Sequence, residues 1–279
     1  MVTRDVFCRY DTDRDEWDML EPFPGGRRSY AAGAVHAGEN AVYFGFGRSA
    51  SNRALRDLWR WDGEVWLQRA SCPQGCERLH PALVALDQHI FVAAGSGATG
   101  NLVSAWAYSI ASDSWEQLAP LPGPARHHPY QFALGGRPYV FGGHGSWDPT
   151  TQASIYSDLY RWDMRQAGSP ATGLQWTGAV SRLRSLPGEG RVAGTQFDLG
   201  GYGYVLSGDG QDHRSMQTGE FWRYDPNSND WTQLPPHPGA SRWAPASFVL
   251  AGRVHMYNGY ERLPGQLAYY PDTAFRFQL

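Results

Sequence analysis

The chain reads as an all-β propeller, and two phrases that interleave along its 279 residues predict it. The first is a polar residue, an aromatic-rich run and an acid, followed a few residues on by a tryptophan. It occurs as VFCRYD at 6–11 with Trp17, DLWRWD at 57–62 with Trp66, SAWAYS at 104–109 with Trp115, DLYRWD at 158–163 with Trp176, EFWRYD at 220–225 with Trp231, and QLAYYPD at 266–272 with Phe275. The tryptophans recur every 49 to 61 residues, close to the roughly 50 residues of one propeller blade. The second phrase is an Arg, an apolar strand, a turn and a strand ending in Gly. It runs from Arg28 to VYFGFG at 42–47, Arg78 to IFVAAG at 90–95, Arg126 to YVFGG at 139–143, Arg191 to YVLSG at 204–208, and Arg242 to VHMYNG at 254–259.

Each repeat is thus a set of short strands rich in Val, Tyr, Phe and Trp, bounded by Gly, Pro, Asn and Asp, as in antiparallel sheet. Residues 6–20 form an outer strand pair with no inner pair before it. Five full repeats follow at about 28–70, 78–119, 126–180, 191–235 and 242–279, giving one domain of five or six blades. A blade cannot bury both faces alone, so the blades stack around an axis and share their cores. The glycine closing the second strand allows a positive φ or a close backbone approach, and the outer tryptophans fill the space between blades as scaffold. The pair at 6–20 is expected to join strands of the C-terminal half, because a bare two-stranded edge invites aggregation.

On these phrases the chain resembles the kelch family of β-propellers, whose blades carry a diglycine after the second strand, a Tyr on the third and a Trp on the fourth. Gly142-Gly143 keeps the full diglycine; the other copies are Phe46-Gly47, Ala94-Gly95, Ser207-Gly208 and Asn258-Gly259. The likeness covers almost the whole chain. It implies a recognition face at one mouth of the ring, formed by the Arg before each first strand and the residue after the diglycine. The first ring is Arg28, Arg78, Arg126, Arg191 and Arg242; the second is Arg48, Ser96, His144, Asp209 and Tyr260. Two residues after each Arg come Tyr30, His80, His128, Ala193 and Ala244, and Trp243 follows Arg242.

Composition narrows the chemistry. All 24 basic residues are Arg, so a lysine Schiff base or P-loop lysine is excluded. A net charge of −3 gives no reason to expect nucleic acid. No apolar run reaches the roughly 18 residues of a membrane span, and the N-terminus has no hydrophobic signal segment, so the expected setting is the cytoplasm without membrane attachment. Cys72 and Cys76 lack the further ligands of a zinc site and are read first as free thiols, with a loop disulfide as the alternative. No metal and no cofactor are expected.

Against this acidic background the mouth carries six arginines, three histidines and one acid. That pattern favours an anionic ligand, a small oxyanion or an acidic peptide segment, because Arg forks pair with planar oxyanions. The competing reading gives each Arg to backbone carbonyls that close the ring. The loops at 144–158 and 209–219, with Trp147, Asp148, Asp212, His213 and Arg214, are longer than hairpins and suit specificity. Two functions follow. A binding module uses the mouth for affinity alone, as kelch propellers that recognise acidic loops of partners do. A non-redox isomerase, epimerase or cyclase would instead use His128, His144, Asp209 and Tyr260 for proton transfer, with the arginines stabilising a carboxylate or enolate. The family's iron-binding Glu-Asp-His run and its Cys-crosslinked copper tyrosine have no counterpart here.

Overall fold

A computed structural model describes residues 5–145, 154–166, 174–211, 213–271 and 273–279. Trp147, Asp148 and Asp212 lie outside them. Five antiparallel meanders follow one another along the chain. Blade 1 comprises Ala32–His36, Ala41–Gly45, Leu58–Trp61 and Trp66–Arg69, and blade 2 Ala82–Leu86, His89–Ala93, Ala105–Ser109 and Ser114–Leu118. Blade 3 comprises Tyr130–Leu134, Arg137–Phe141, Leu159–Gln166 and Leu174–Leu183, and blade 4 Thr195–Leu199, Tyr202–Leu206, Gly219–Asp225 and Asp230–His237. Blade 5 has three strands, Ala246–Leu250, Arg253–Tyr257 and Phe275–Gln278. Among the described residues no helix is long and apolar enough to cross a membrane.

The core lies between blades, as the repeat logic requires. Tyr43 and Leu58 of blade 1 pack on Leu83, Ile90 and Val92 of blade 2, and Phe91 of blade 2 packs with Val140 and Trp162 of blade 3. Trp66, Trp115 and Trp231 each sit opposite the last aromatic of the third strand, Trp61, Tyr108 and Tyr224. Trp176 is displaced. A register shift in blade 3 sets it opposite Met164, and the Trp162 indole takes over the bond to the preceding blade, donating to Ala119 as Trp115 donates to Ala70.

The degraded diglycine has a steric cause. Its first residue adopts positive φ in every blade, yet Phe46, Ala94, Ser207 and Asn258 manage it with side chains. Its second residue, Gly47, Gly95, Gly143, Gly208 or Gly259, combines positive φ with a backbone carbonyl 2.5–2.9 Å from where a Cβ would stand. Only the second glycine is therefore obligatory.

The third-strand phrase of blade 5 is not QLAYYPD. In the other blades the residue opening that strand, Asp57, Ser104, Asp158 or Glu220, receives the guanidinium of the blade's own Arg. Arg242 reaches Thr273 in the same way, which makes Thr273-Ala274-Phe275-Arg276-Phe277 the equivalent run and puts Phe275 on the third strand, not the fourth. Cys72 and Cys76 form a buried disulfide, with Cα atoms 5.9 Å apart, in place of the free thiols expected.

The N-terminal pair, Phe7–Asp11 with Glu16–Leu20, is built like the outer half of a blade. Tyr10 faces Trp17 and bonds Asp15, as Tyr108 faces Trp115 and bonds Asp113. Among the described residues it makes no ladder with the C-terminal strands. It is held by rings: Phe7 lies 5.0 Å from Trp61 and 5.2 Å from Trp66 of blade 1, and Trp17 lies 5.7 Å from Tyr257 of blade 5. It therefore bridges the seam between the last blade and the first.

Two series of backbone hydrogen bonds tie the blades at the mouth. In one, His80 N–H donates to Tyr30, His128 to His80, Ala193 to His128 and Ala244 to Ala193. In the other, Gly47 donates to Arg78, Gly95 to Arg126, Gly143 to Arg191 and Gly208 to Arg242. Among the described residues neither series continues from blade 5 to blade 1, and their first strands do not lie side by side as those of the other neighbours do.

Candidate functional site

The first ring of arginines does not face the mouth. Arg28, Arg78, Arg126, Arg191 and Arg242 are all buried. Arg28 makes a two-pronged bond to Asp57 and donates to the Phe46 and Gly25 carbonyls. Arg78 is held by the carbonyls of Cys76, Ala94 and Ser104 and by the Ser104 hydroxyl. Arg126 pairs with Asp158, and Arg191 with Glu220. Arg242 bonds Asn258 and Thr273. Four of the guanidiniums, those of Arg28, Arg78, Arg126 and Arg242, pin the end of the second strand and the start of the third to the Arg-bearing loop of their own blade, while Arg191 ties its loop carbonyls to Glu220 at the start of the third strand.

The second ring divides. Asp209 is fully buried and ion-paired with Arg262. Tyr260 is tied through its backbone to Trp243, and burial pushes its phenol above the usual value. Ser96 and Arg48 border a cleft of about 730 Å³ between blades 1 and 2, which also takes in Asn52, Arg53, Glu77 and Leu102. The Arg48 guanidinium stands 5.0 Å over the Tyr30 ring at its edge.

Histidines occupy the axis. The Tyr30 and His80 ring centroids are 3.8 Å apart, His80 and His128 3.6 Å, and His128 and Trp243 5.3 Å. His144 lies 3.7 Å from His127, and its Nδ1 is 3.1 Å from Nε2 of His213. Arg262 stacks 4.6 Å over Trp243. His80, His128 and His144 were expected here. His213 arrives from the 209–219 loop that the sequence marks for specificity, whereas His127 and Arg262 join without a reading of their own, the His127-His128 dipeptide being the one local signal for the former.

Burial sets the electrostatics. It pushes the imidazoles of His80 and His144 down to about 2 and that of His127 to about 4, and carries His128 well below its ordinary value; neighbouring imidazoles add to each shift. These rings are neutral at physiological pH, so each offers one N–H donor and one lone pair. Both nitrogens of His80, Nδ1 of His127 and Nε2 of His144 are buried without a hydrogen-bond partner.

Five radial sheets around one axis, with loops from successive blades meeting at one end, define a β-propeller. The Kelch motif matches residues 77–122. Kelch-like protein 36 of Bos taurus is 26% identical over 269 residues, 92% of this chain and 39% of that protein. Kelch-like protein 35 of Mus musculus is 26% identical over 254 residues, 90% of this chain and 38% of that protein. The chain is a kelch-repeat β-propeller, spanning about two fifths of the length of these relatives. An N-acetylneuraminate epimerase of Yersinia enterocolitica is 32% identical over 124 residues, 44% of this chain and 28% of that enzyme. The solved structure of YjhT superposes with a TM-score of 0.67 at 14% identity, over 90% of this chain and 82% of that one, a likeness of fold alone.

Proposed function

We propose that this propeller is a binding module that takes an anionic ligand on its mouth face, in the cleft between blades 1 and 2. The observation that carries this is the pairing of Arg48 and Arg53 with Asn52 and Ser96 around a cleft of about 730 Å³. Two guanidiniums and an amide form a donor set that a carboxylate or phosphate takes, set against the single Glu77 carboxylate of the same cleft, while the Ser96 hydroxyl already donates to Asn101 Oδ1. The anion preference rests on these residues and not on the five arginines of the first ring, whose donors serve the blades.

The test is a thermal-shift and calorimetric screen with small dicarboxylates, sugar acids and inorganic phosphate. An anion that binds raises the melting temperature by mass action, and Arg48→Ala with Arg53→Ala weakens it by about tenfold or more. No shift with any anion, or binding indifferent to both variants, overturns the reading. A second reading, a non-redox epimerase or isomerase, is favoured by the His144–His213 contact and by the likeness to an N-acetylneuraminate epimerase. In that case His144→Ala abolishes turnover while sparing affinity.

A further inference from the structure

We propose that His80, His127 and His128 form a binding site for a divalent transition-metal ion of the zinc class. One nitrogen from each of the three rings lies within 4.8 Å of the others, a spacing that side-chain rotation brings to the ~3.4 Å edge of a tetrahedron with Zn–N bonds of about 2.0–2.1 Å. Imidazole is the ligand type that suits zinc, copper and nickel.

Ring closure alone does not explain these side chains. His80 and His128 hold positive φ and carry the inter-blade backbone bonds, but Ala193 and Ala244 do the same in blades 4 and 5. The imidazoles are therefore extra to the backbone's needs. They are also costly, because buried polar atoms are ordinarily hydrogen-bonded, and His80 has neither nitrogen satisfied while His127 lacks a partner at Nδ1. A metal ion would use those lone pairs, and burial keeps the rings in the neutral form that ligates.

His144 lies beside the three, outside the group of nitrogens within 4.8 Å of one another, and would complete the set as a fourth donor by turning its ring toward His127. Its ring is 3.7 Å from that of His127, and its Nε2 is buried without a partner. If Nδ1 donates its proton to Nε2 of His213, 3.1 Å away, the tautomer leaves a lone pair on that second nitrogen, as an outer-shell bond does for many ligating histidines. Backbone bonds between blades fix the Cα positions of His80 and His128, so little ordering remains for binding to impose.

The test is titration of the chelator-stripped protein with zinc chloride by calorimetry, alone and in competition with a chromogenic chelator. One equivalent is expected to bind and to raise the melting temperature. His80→Ala and His128→Ala reproduce what blades 4 and 5 already carry, so they retain the fold, and each weakens zinc by at least about tenfold, the lower end of what even outer-shell losses cost. His89→Ala, which removes an imidazole packed on Trp176, leaves binding unchanged. Cobalt chloride in place of zinc gives the intense visible bands of a tetrahedral site. Absence of a bound equivalent, binding that survives in the His80→Ala/His128→Ala pair, or a weak octahedral cobalt spectrum overturns the site and leaves the cluster a stacked plug.

Discussion

Arg126 and Asp158 meet fork to fork inside blade 3: Nη2 donates to Oδ2 at 2.9 Å, while Nη1 donates to both Oδ1 and the Gly142 carbonyl. The guanidinium has no solvent exposure. Removing one member of such a pair strands the other charge, so Arg126→Ala should cost about 3–5 kcal/mol. Chemical denaturation measures it, and a variant that unfolds like the parent would mean that the pair contributes nothing net.

That pair also marks what the residue pattern can and cannot convey. The spacing of Arg126, Tyr139–Gly143 and Trp162 follows from how often strands must turn, so the blades were legible in the sequence. Whether an Arg at a strand entrance points along the axis or into its own blade depends on which carbonyls the fold leaves unpaired, and these exist only once Gly142 and Asp158 are in place. The tail failed differently. Tyr269-Tyr270 looks more like a third strand than Phe275-Arg276-Phe277 does, and the ladder of Phe275–Gln278 on Arg253–Met256, with the bond from Arg242 to Thr273, decides between them. The histidine cluster joins residues from four separate loops: the repeat register puts His80, His128 and His144 at one mouth, but the contacts of His127 and His213 with them follow from no local pattern.

The N-terminal hairpin should be structural, since its rings cover Trp61, Trp66 and Tyr257. Deleting residues 1–20 is expected to lower the melting temperature and expose these rings to a hydrophobic dye. Phe7→Ala alone removes two edge-to-face contacts and should cost about 1–3 kcal/mol at ~0.5–1.5 kcal/mol each. A deletion that melts like the parent would reduce the hairpin to an appendage.

Stability should fall in mild acid, in part through His237. Its ring is buried between the Pro238 carbonyl, 2.8 Å from Nδ1, and the Ser207 hydroxyl, 3.0 Å from Nε2. Burial, with Arg242 nearby, holds its pKa below the ordinary 6.5 despite the opposing Pro238 bond. From about pH 6.5 downward the unfolded chain therefore binds a proton that the folded chain resists. The contribution is complete above that pH and is lost as pH falls towards the folded value. His237→Asn should flatten the slope of unfolding free energy between pH 7 and 5 by up to about 1.4 kcal/mol per pH unit; an unchanged slope would assign the acid response to other groups.

A hoop that is cut once deforms unlike one that is whole. Prising apart blades 1 and 2, or any later neighbours through blade 5, must break a member of each backbone series, at about 1 kcal/mol per bond. Moving blade 5 away from blade 1 breaks neither. Compliance is thus gathered at a single hinge line, with Tyr30 on one lip and Ala244 on the other. Tyr30 travels with the first lip and Trp243 with the second, so the gap between them can widen without breaking either series, for the loss of the ring contacts by which the N-terminal hairpin bridges the seam. Whatever enters at the axis has one inexpensive door.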